Sequence, residues 1–223
     1  MRKPGGEISR VHRSRREAQS WYDTLSSWYD VVADPFERPY RSMGVELLGA
    51  ESGEQIADIG SGTGNALVSI ARSVGESGQV VGLDISTKMC HVAQKKATTA
   101  GVSPQVDIVC GDALSPPLRD ASLDAIFMSF TLELFDTPDI PVVLSHCQRM
   151  LRDGGRLCVV ALSKRNAGFV TGLYERVHTA APQYVDCRPI YVREALRGAE
   201  FDVITTREET MWGLPLELVL VRA

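Results

Sequence analysis

Nine residues constrain the architecture of this chain more than any others: Ile56-Ala57-Asp58-Ile59-Gly60-Ser61-Gly62-Thr63-Gly64, a short apolar run that enters three alternating glycines. The apolar run reads as a buried strand, and an amphipathic stretch starts immediately afterwards at Asn65. Glycines at the junction permit tight φ/ψ values and let a ligand approach the main chain. Strand, glycine turn and helix in that order form the first half of a β-α-β unit.

The rest of the chain repeats the alternation. Apolar runs at 56–59, 80–83, 106–110, 123–128 and 157–162 alternate with amphipathic segments at 65–74, 86–100 and 140–151, and strand-like runs follow at 201–206 and 216–221. This predicts a single α/β Rossmann-like domain, with a mostly parallel seven-stranded sheet, helices on both faces and an N-terminal helical lid. Asp153-Gly154-Gly155 reads as a helix stop followed by a turn. Between residues 17 and 49 helical patterning is punctuated by Asp34-Pro35 and Pro39, which predicts two or three short helices before the sheet. Later, 168–180 and 192–197 look helical.

With 223 residues and no internal repeat or linker, residues 17–223 are expected to form one domain. Residues 1–16 hold Arg2, Lys3, Arg10, Arg13, Arg15 and Arg16 against Glu7 alone, and read as a solvated basic tail rather than a membrane or nucleic-acid arm. The formal net charge of −4 disfavours a surface that follows a polyphosphate, so no nucleic-acid partner is expected. Cys90, Cys110, Cys147, Cys158 and Cys187 are widely spaced, with no Cys-x-x-Cys pair, so reduced thiols in a cytoplasmic protein and no metal site are expected. No apolar run approaches the roughly 18 to 20 residues of a membrane span. Peripheral membrane contact stays open.

The ligand is narrowed by which residues stand around the loop. A nicotinamide fingerprint requires Gly-x-Gly-x-x-Gly, but the position of its third glycine is Asn65. Asp58 would repel a pyrophosphate and attract an ammonium group. Asp84 lies at the end of the next strand, where a carboxylate can accept both ribose hydroxyls, and Asp112 follows the strand after that. One nucleoside could meet three successive strand ends.

The ordered set Asp58-x-Gly60-x-Gly62-Thr63-Gly64, Gly82-x-Asp84-x-Ser86-x-x-Met89, Gly111-Asp112-Ala113 and Leu151-Arg152-Asp153-Gly154-Gly155 resembles class I S-adenosylmethionine (SAM)-dependent methyltransferases over about residues 50–165. The resemblance implies SAM as cofactor. Asp58, Gly60, Ser61, Gly62 and Gly64 would face its methionyl part and Asp84 its ribose. Asp112 and Ala113 would lie at the adenine amino group, Ile85 and Met89 would flank the ring, and Ser129 would complete the set. Trp21-Tyr22-Asp23 and Trp28-Tyr29-Asp30 resemble the opening helix of ubiquinone/menaquinone methyltransferases, where that segment closes the cofactor pocket. Tyr22 and Tyr29 are seven apart and share a helical face, which suits either such a lid or plain docking on the core.

Acceptors in this family commonly sit after the fourth strand, here Ser129-Phe130-Thr131-Leu132-Glu133-Leu134-Phe135-Asp136. The Asn/Asp-Pro-Pro-Tyr/Phe motif of adenine or glutamine methylation is absent there, which favours a small or lipophilic acceptor such as a quinone precursor. Candidate proton-transfer residues are His178, Tyr191 and Glu133, with Asp136 of equal rank to Glu133; a structural role competes at each. A non-catalytic SAM-binding module and an NAD-type oxidoreductase are the alternative functions.

Overall fold

The computed structural model describes residues 8, 10–11, 15–26, 30, 34–165, 168, 171–172, 174 and 187–223. Among the described residues, helices α1 (Arg15–Leu25) and α2 (Asp34–Leu48) precede the sheet. The chain then alternates through β1 (Gln55–Ile59), α3 (Asn65–Val74), β2 (Gln79–Asp84), α4 (Thr87–Thr99), β3 (Val106–Cys110) and β4 (Leu123–Ser129). It ends with α5 (Ile140–Met150), β5 (Leu151–Leu162), α6 (Val192–Gly198), β6 (Asp202–Met211) and β7 (Leu214–Arg222).

The seven strands lie in the order β3-β2-β1-β4-β5-β7-β6. β1 through β5 pair in parallel, and β7 is antiparallel to both β5 and β6. Strand order reverses between β1 and β4, and open α/β sheets bind ligands in the crevice outside the carboxyl ends at such a reversal. The expected α/β domain is therefore the observed one, and the site is confined to one edge of it.

Successive strand residues point to opposite faces, and both faces here are apolar. Ala57, Ile59, Ile126, Met128, Leu157 and Val159 pack with α5 and α6. Ile56, Val80, Phe127, Cys158 and Val160 pack with α2 and α3. Each fully buried aliphatic side chain contributes about 1.5–3 kcal/mol, which is why strands with no polar face require helices on both sides.

Three boundaries differ from the sequence expectation. α2 runs through Pro39 instead of breaking there. The lost hydrogen bond is outweighed because the Asp34 carboxylate accepts from Arg38 and Arg41 over the first turns and the second half packs on β4, β5 and β7. β5 starts at Leu151, directly after α5, because Leu151 pairs with Leu123 while Ala125 pairs with Arg156. The Asp153-Gly154-Gly155 segment is therefore a bulge inside a strand, with Gly154 at φ 76°, rather than a turn ahead of it. β6 and β7 extend to a two-residue hairpin at Trp212 and Gly213, whose φ values of 53° and 81° match a type I′ turn. Most of the helix expected at 168–180 lies outside the described residues.

None of the five cysteines is disulfide-bonded, and among the described residues no helix is long and apolar enough to cross a membrane.

Gly44 sets how closely α2 approaches the sheet. A Cβ there would stand 2.4 Å from Val160 Cγ2 and 3.1 Å from Phe127 Cε2, both in the buried core. Gly44→Val should therefore destabilise the chain by about 2 kcal/mol through overpacking, lowering Tm by roughly 4–8 °C in a thermal melt.

Candidate functional site

The glycine loop is shaped by its own neighbours. The Gly60 and Ser61 amides both donate to the Leu83 carbonyl of β2, at 2.7 and 3.2 Å, which folds the loop back over the sheet. Gly60 adopts φ 73°, and a Cβ there would collide with Thr131 at 2.3 Å. Gly62 adopts φ 52° with nothing within 4 Å of where its Cβ would be, an open cradle at the strand reversal.

Asp58, in β1 just before this loop, is almost wholly buried, and its Oδ2 atom has no hydrogen-bond partner among the described residues. Burial pushes its carboxyl up to about 7; Arg41 and the Leu67 amide pull it down, and Asp84 adds to the rise. A buried, unsatisfied carboxylate oxygen beside an open backbone cradle suits a ligand that brings an ammonium group.

Asp84 is tied to the loop itself. Its Oδ2 accepts from the Gly62 amide at 2.8 Å and its Oδ1 from the Ser86 amide at 2.8 Å. Burial raises its pKa, and those two amides oppose the rise. Each oxygen keeps a further lone pair, enough for a pair of vicinal hydroxyls. Ser86 caps α4 by accepting from the Met89 amide at 3.1 Å, which leaves Met89 buried and Ile85 half-buried behind the loop. Asp112 Oδ1 accepts from the Leu114 amide at 2.9 Å in the turn after β3, with Ala113 half-buried against the core. Ser61, two residues after β1, and Ser129, at the end of β4, both have buried hydroxyls without a partner among the described residues.

Two aspartates of the N-terminal segment tie it to α4 and to the glycine loop. Asp23 accepts from Ser86 Oγ at 2.6 Å and from the Lys88 amide at 3.2 Å, and the Ser86 bond holds its carboxyl below the ordinary value. Asp30 accepts from Thr63 Oγ1 at 2.6 Å, Asn65 Nδ2 at 3.1 Å and Lys96 Nζ at 2.8 Å. Burial alone would raise Asp30, but the Lys96 and Thr63 bonds outweigh it and keep the group low. Asn65, the residue that breaks the nicotinamide fingerprint, also donates to Asp34 at 2.7 Å and is thereby committed to this network. Tyr22 is half-buried on α1, which packs against α4. Tyr29 lies outside the described residues. The Trp-Tyr-Asp triplet, present twice seven residues apart, was the available signal for the two aspartates.

Beyond β4, Glu133 stands on a short 3-10 turn (Leu132–Leu134) with no exposed surface. Its Oε1 accepts from the Leu162 amide at 3.2 Å, and its Oε2 has no partner among the described residues. Burial pushes it up to about 8; its own and the Leu162 amide and the Arg188 charge oppose that rise, while Glu37 adds to it. Asp136 is spent differently, on Arg10 at 2.7 Å and the Val11 amide at 3.0 Å, and the Arg10 bond holds it well below the usual carboxylate range. Tyr191 precedes α6 and accepts the Ala195 amide on its carbonyl. His178 lies outside the described residues. Arg188, in the segment that leads into α6, is buried beside the Glu133 turn and donates to the Phe135 carbonyl.

A family model described as a methyltransferase domain matches residues 56–155, the span from β1 into β5. The ubiquinone/menaquinone biosynthesis C-methyltransferase UbiE of Saccharophagus degradans is 31% identical over 175 residues, covering 77% of this chain and 70% of that protein. This chain belongs to the SAM-dependent methyltransferases. The demethylmenaquinone methyltransferase of Oceanobacillus iheyensis is 28% identical over 164 residues, covering 74% of this chain and 66% of that protein. The chain covers 58 to 70% of the length of these curated relatives and others like them. Among solved structures, the cyclase SpnF superposes with a TM-score of 0.75 at 18% identity, covering 94% of this chain and 97% of that one, a likeness of fold. The cofactor of the family is SAM.

Asp58 and Glu133 make stability pH-dependent with a definite sign. Both carboxyls hold their protons when folded, at pH values where the unfolded chain has lost them, so the folded state binds more protons and stability falls as pH rises from about 4 through about 7 and 8. Urea midpoints between pH 5 and 8 should decline in the native chain and decline less steeply in the Asp58→Asn, Glu133→Gln double variant.

Proposed function

We propose that this chain transfers the methyl group of SAM to a small or lipophilic acceptor, of which a quinone precursor is the case its curated relatives support. The observation that carries this reading is the unsatisfied Asp58 oxygen lying with Asp84 around the open Gly62 cradle. These residues fit the cofactor: a carboxylate for its ammonium group, a second for its ribose hydroxyls, and main chain bare enough to be approached. In this reading Asp112 and Ala113 meet the adenine edge, Ile85 and Met89 flank the ring, and Ser61 and Ser129 supply hydroxyls. The N-terminal segment carrying Tyr22 and Tyr29 covers the site. Residues 17–223 act as the one catalytic domain, and the basic segment 1–16 touches it through Arg10 and Asp136.

SAM supplies an activated methyl on a sulfonium, so the chain has chiefly to hold donor and acceptor in line and exclude water. Glu133 takes the acceptor proton on Oε2 as the new bond to methyl forms, leaving S-adenosylhomocysteine and the methylated acceptor. Its position after β4 and its poise near neutral pH support that role over Tyr191 and His178. Likeness to a cyclase brings no reaction to this chain, since one fold hosts many chemistries. A SAM-binding module without turnover is the reading that failure of the assay below would leave standing.

Two variants test the assignment. Asp84→Ala should weaken SAM binding by about a hundredfold or more in calorimetry while circular dichroism stays unchanged, the loss of two hydrogen bonds to a charged acceptor; retained affinity would overturn the site. Glu133→Gln keeps the acceptor for Leu162 and should leave SAM affinity intact. It should lower kcat by about 10²- to 10⁴-fold in radiolabelled methyl transfer to lipid and metabolite extracts. In the native chain kcat should rise with pH through about 8, as Glu133 loses its proton.

A further inference from the structure

Arg188 is a fully buried guanidinium. Its Nη2 donates to the Phe135 carbonyl, while Nε and Nη1 meet no hydrogen-bond partner among the described residues. Arginine stays charged and presents five N–H donors in a rigid fork, so empty donors away from water are costly unless something fills them. Among the described residues no carboxylate does so. Asp136 is engaged by Arg10 and the Val11 amide, and Glu133, protonated at neutral pH because burial pushes it up to about 8, keeps its own Oε2 empty.

The main chain shows which part of the sheet these groups share. Arg188 stands two residues before Ile190, whose amide donates to the Leu162 carbonyl at 3.0 Å and which bridges to Ser163. The amide of the same Leu162 donates to Glu133 Oε1, and Phe135, which takes Nη2, ends the turn that carries Glu133. Arg188 and Glu133 are thus pinned to the same carboxyl end of β5, beside β4, on the edge of the sheet where such folds hold their ligands. A structural latch on Phe135 would use Nη2 alone and would not require a charge.

We infer that Arg188 is the recognition group for an oxyanion, carboxylate or phosphate, on the methyl acceptor, and that with Glu133 it forms the acceptor end of the site. This rests on the methyl-transfer reading above and narrows it from any lipophilic molecule to one that carries an acidic group. A charge-assisted bond to the fork orients the acceptor as well as binding it.

The test uses the full chain loaded with S-adenosylhomocysteine and follows arginine side-chain Nε resonances by 1H–15N spectroscopy, with Arg188 assigned by the signal lost in Arg188→Lys. Sodium benzoate and inorganic phosphate are titrated separately, with benzamide as the neutral counterpart of benzoate. The Arg188 signal should shift saturably with at least one anion and not with benzamide, and which anion acts separates a carboxylate from a phosphate acceptor. Arg188→Lys should weaken that binding by about tenfold or more while leaving S-adenosylhomocysteine affinity unchanged. A resonance indifferent to both anions, or equally responsive to benzamide, overturns the inference while the methyl-transfer reading stands. Should Arg188→Lys not fold, the native titrations against benzamide decide alone, with the Arg188 signal assigned by triple-resonance spectra. Absence of S-adenosylhomocysteine binding would instead count against the methyl-transfer reading, and the anion titrations on the unloaded chain would still decide Arg188.

Discussion

For the site to exist, two loops that begin on different strands must stay within hydrogen-bonding reach of one carboxylate, and Asp84 supplies that constraint. One of its oxygens holds the Gly62 amide in the loop after β1 and the other holds the Ser86 amide at the head of α4. Both bonds are made to a charged acceptor in a buried place, where such bonds are stronger than in water and dear to break. The open shape of the Gly62 cradle and the start of α4 are therefore indexed to each other. Ser86 passes the constraint on, capping α4 with one contact and donating to Asp23 with another. The first helix is thus placed by the same carboxylate that a ligand would use.

Around that centre the chain tolerates charges that folding alone would not select. Asp58, Glu133 and Arg188 are all buried, and each keeps at least one polar atom without a hydrogen bond among the described residues. Unpaired buried polar groups cost free energy, so several at one sheet edge mark a place where stability is given up for chemistry. The network of Asp30, Thr63, Asn65 and Lys96 does the opposite. There every group is answered, which suits a segment that must stay fixed across the glycine loop.

The two halves of the site consequently differ in character. The half at β1, β2 and β3 is built from main-chain amides and carboxylates at strand ends, and its geometry follows from the backbone of the fold. The half at β4 and β5 is built from side chains on a short turn and on the segment leading into α6. Small changes of residue there can alter what is bound without disturbing the sheet, which is how one fold comes to serve many acceptors.

Local pattern was enough to reveal the strands near β1 to β4, the helices between them, the glycine loop and the carboxylates Asp58, Asp84 and Asp112. Hydrophobic period and turn chemistry act over a few residues, and each of these features stands at a strand end that such a pattern marks. It was insufficient wherever a partner lies far along the chain. The start of β5 was set by pairing of Leu151 with Leu123, and the continuation of α2 past Pro39 by packing on the sheet. Lys96 meets Asp30 across 66 positions, and Glu133 meets Leu162 across 29. The second meeting follows from the strand order, which lays β5 beside β4. The sequence by itself determined the class of fold and brought forward the carboxylates at the strand ends, because both are written in short-range periodicity. Only the tertiary structure decided that Asp23 and Asp30 hold the N-terminal segment and that Arg188 stands beside Glu133, because burial and unmet hydrogen bonds arise only when distant segments are packed together.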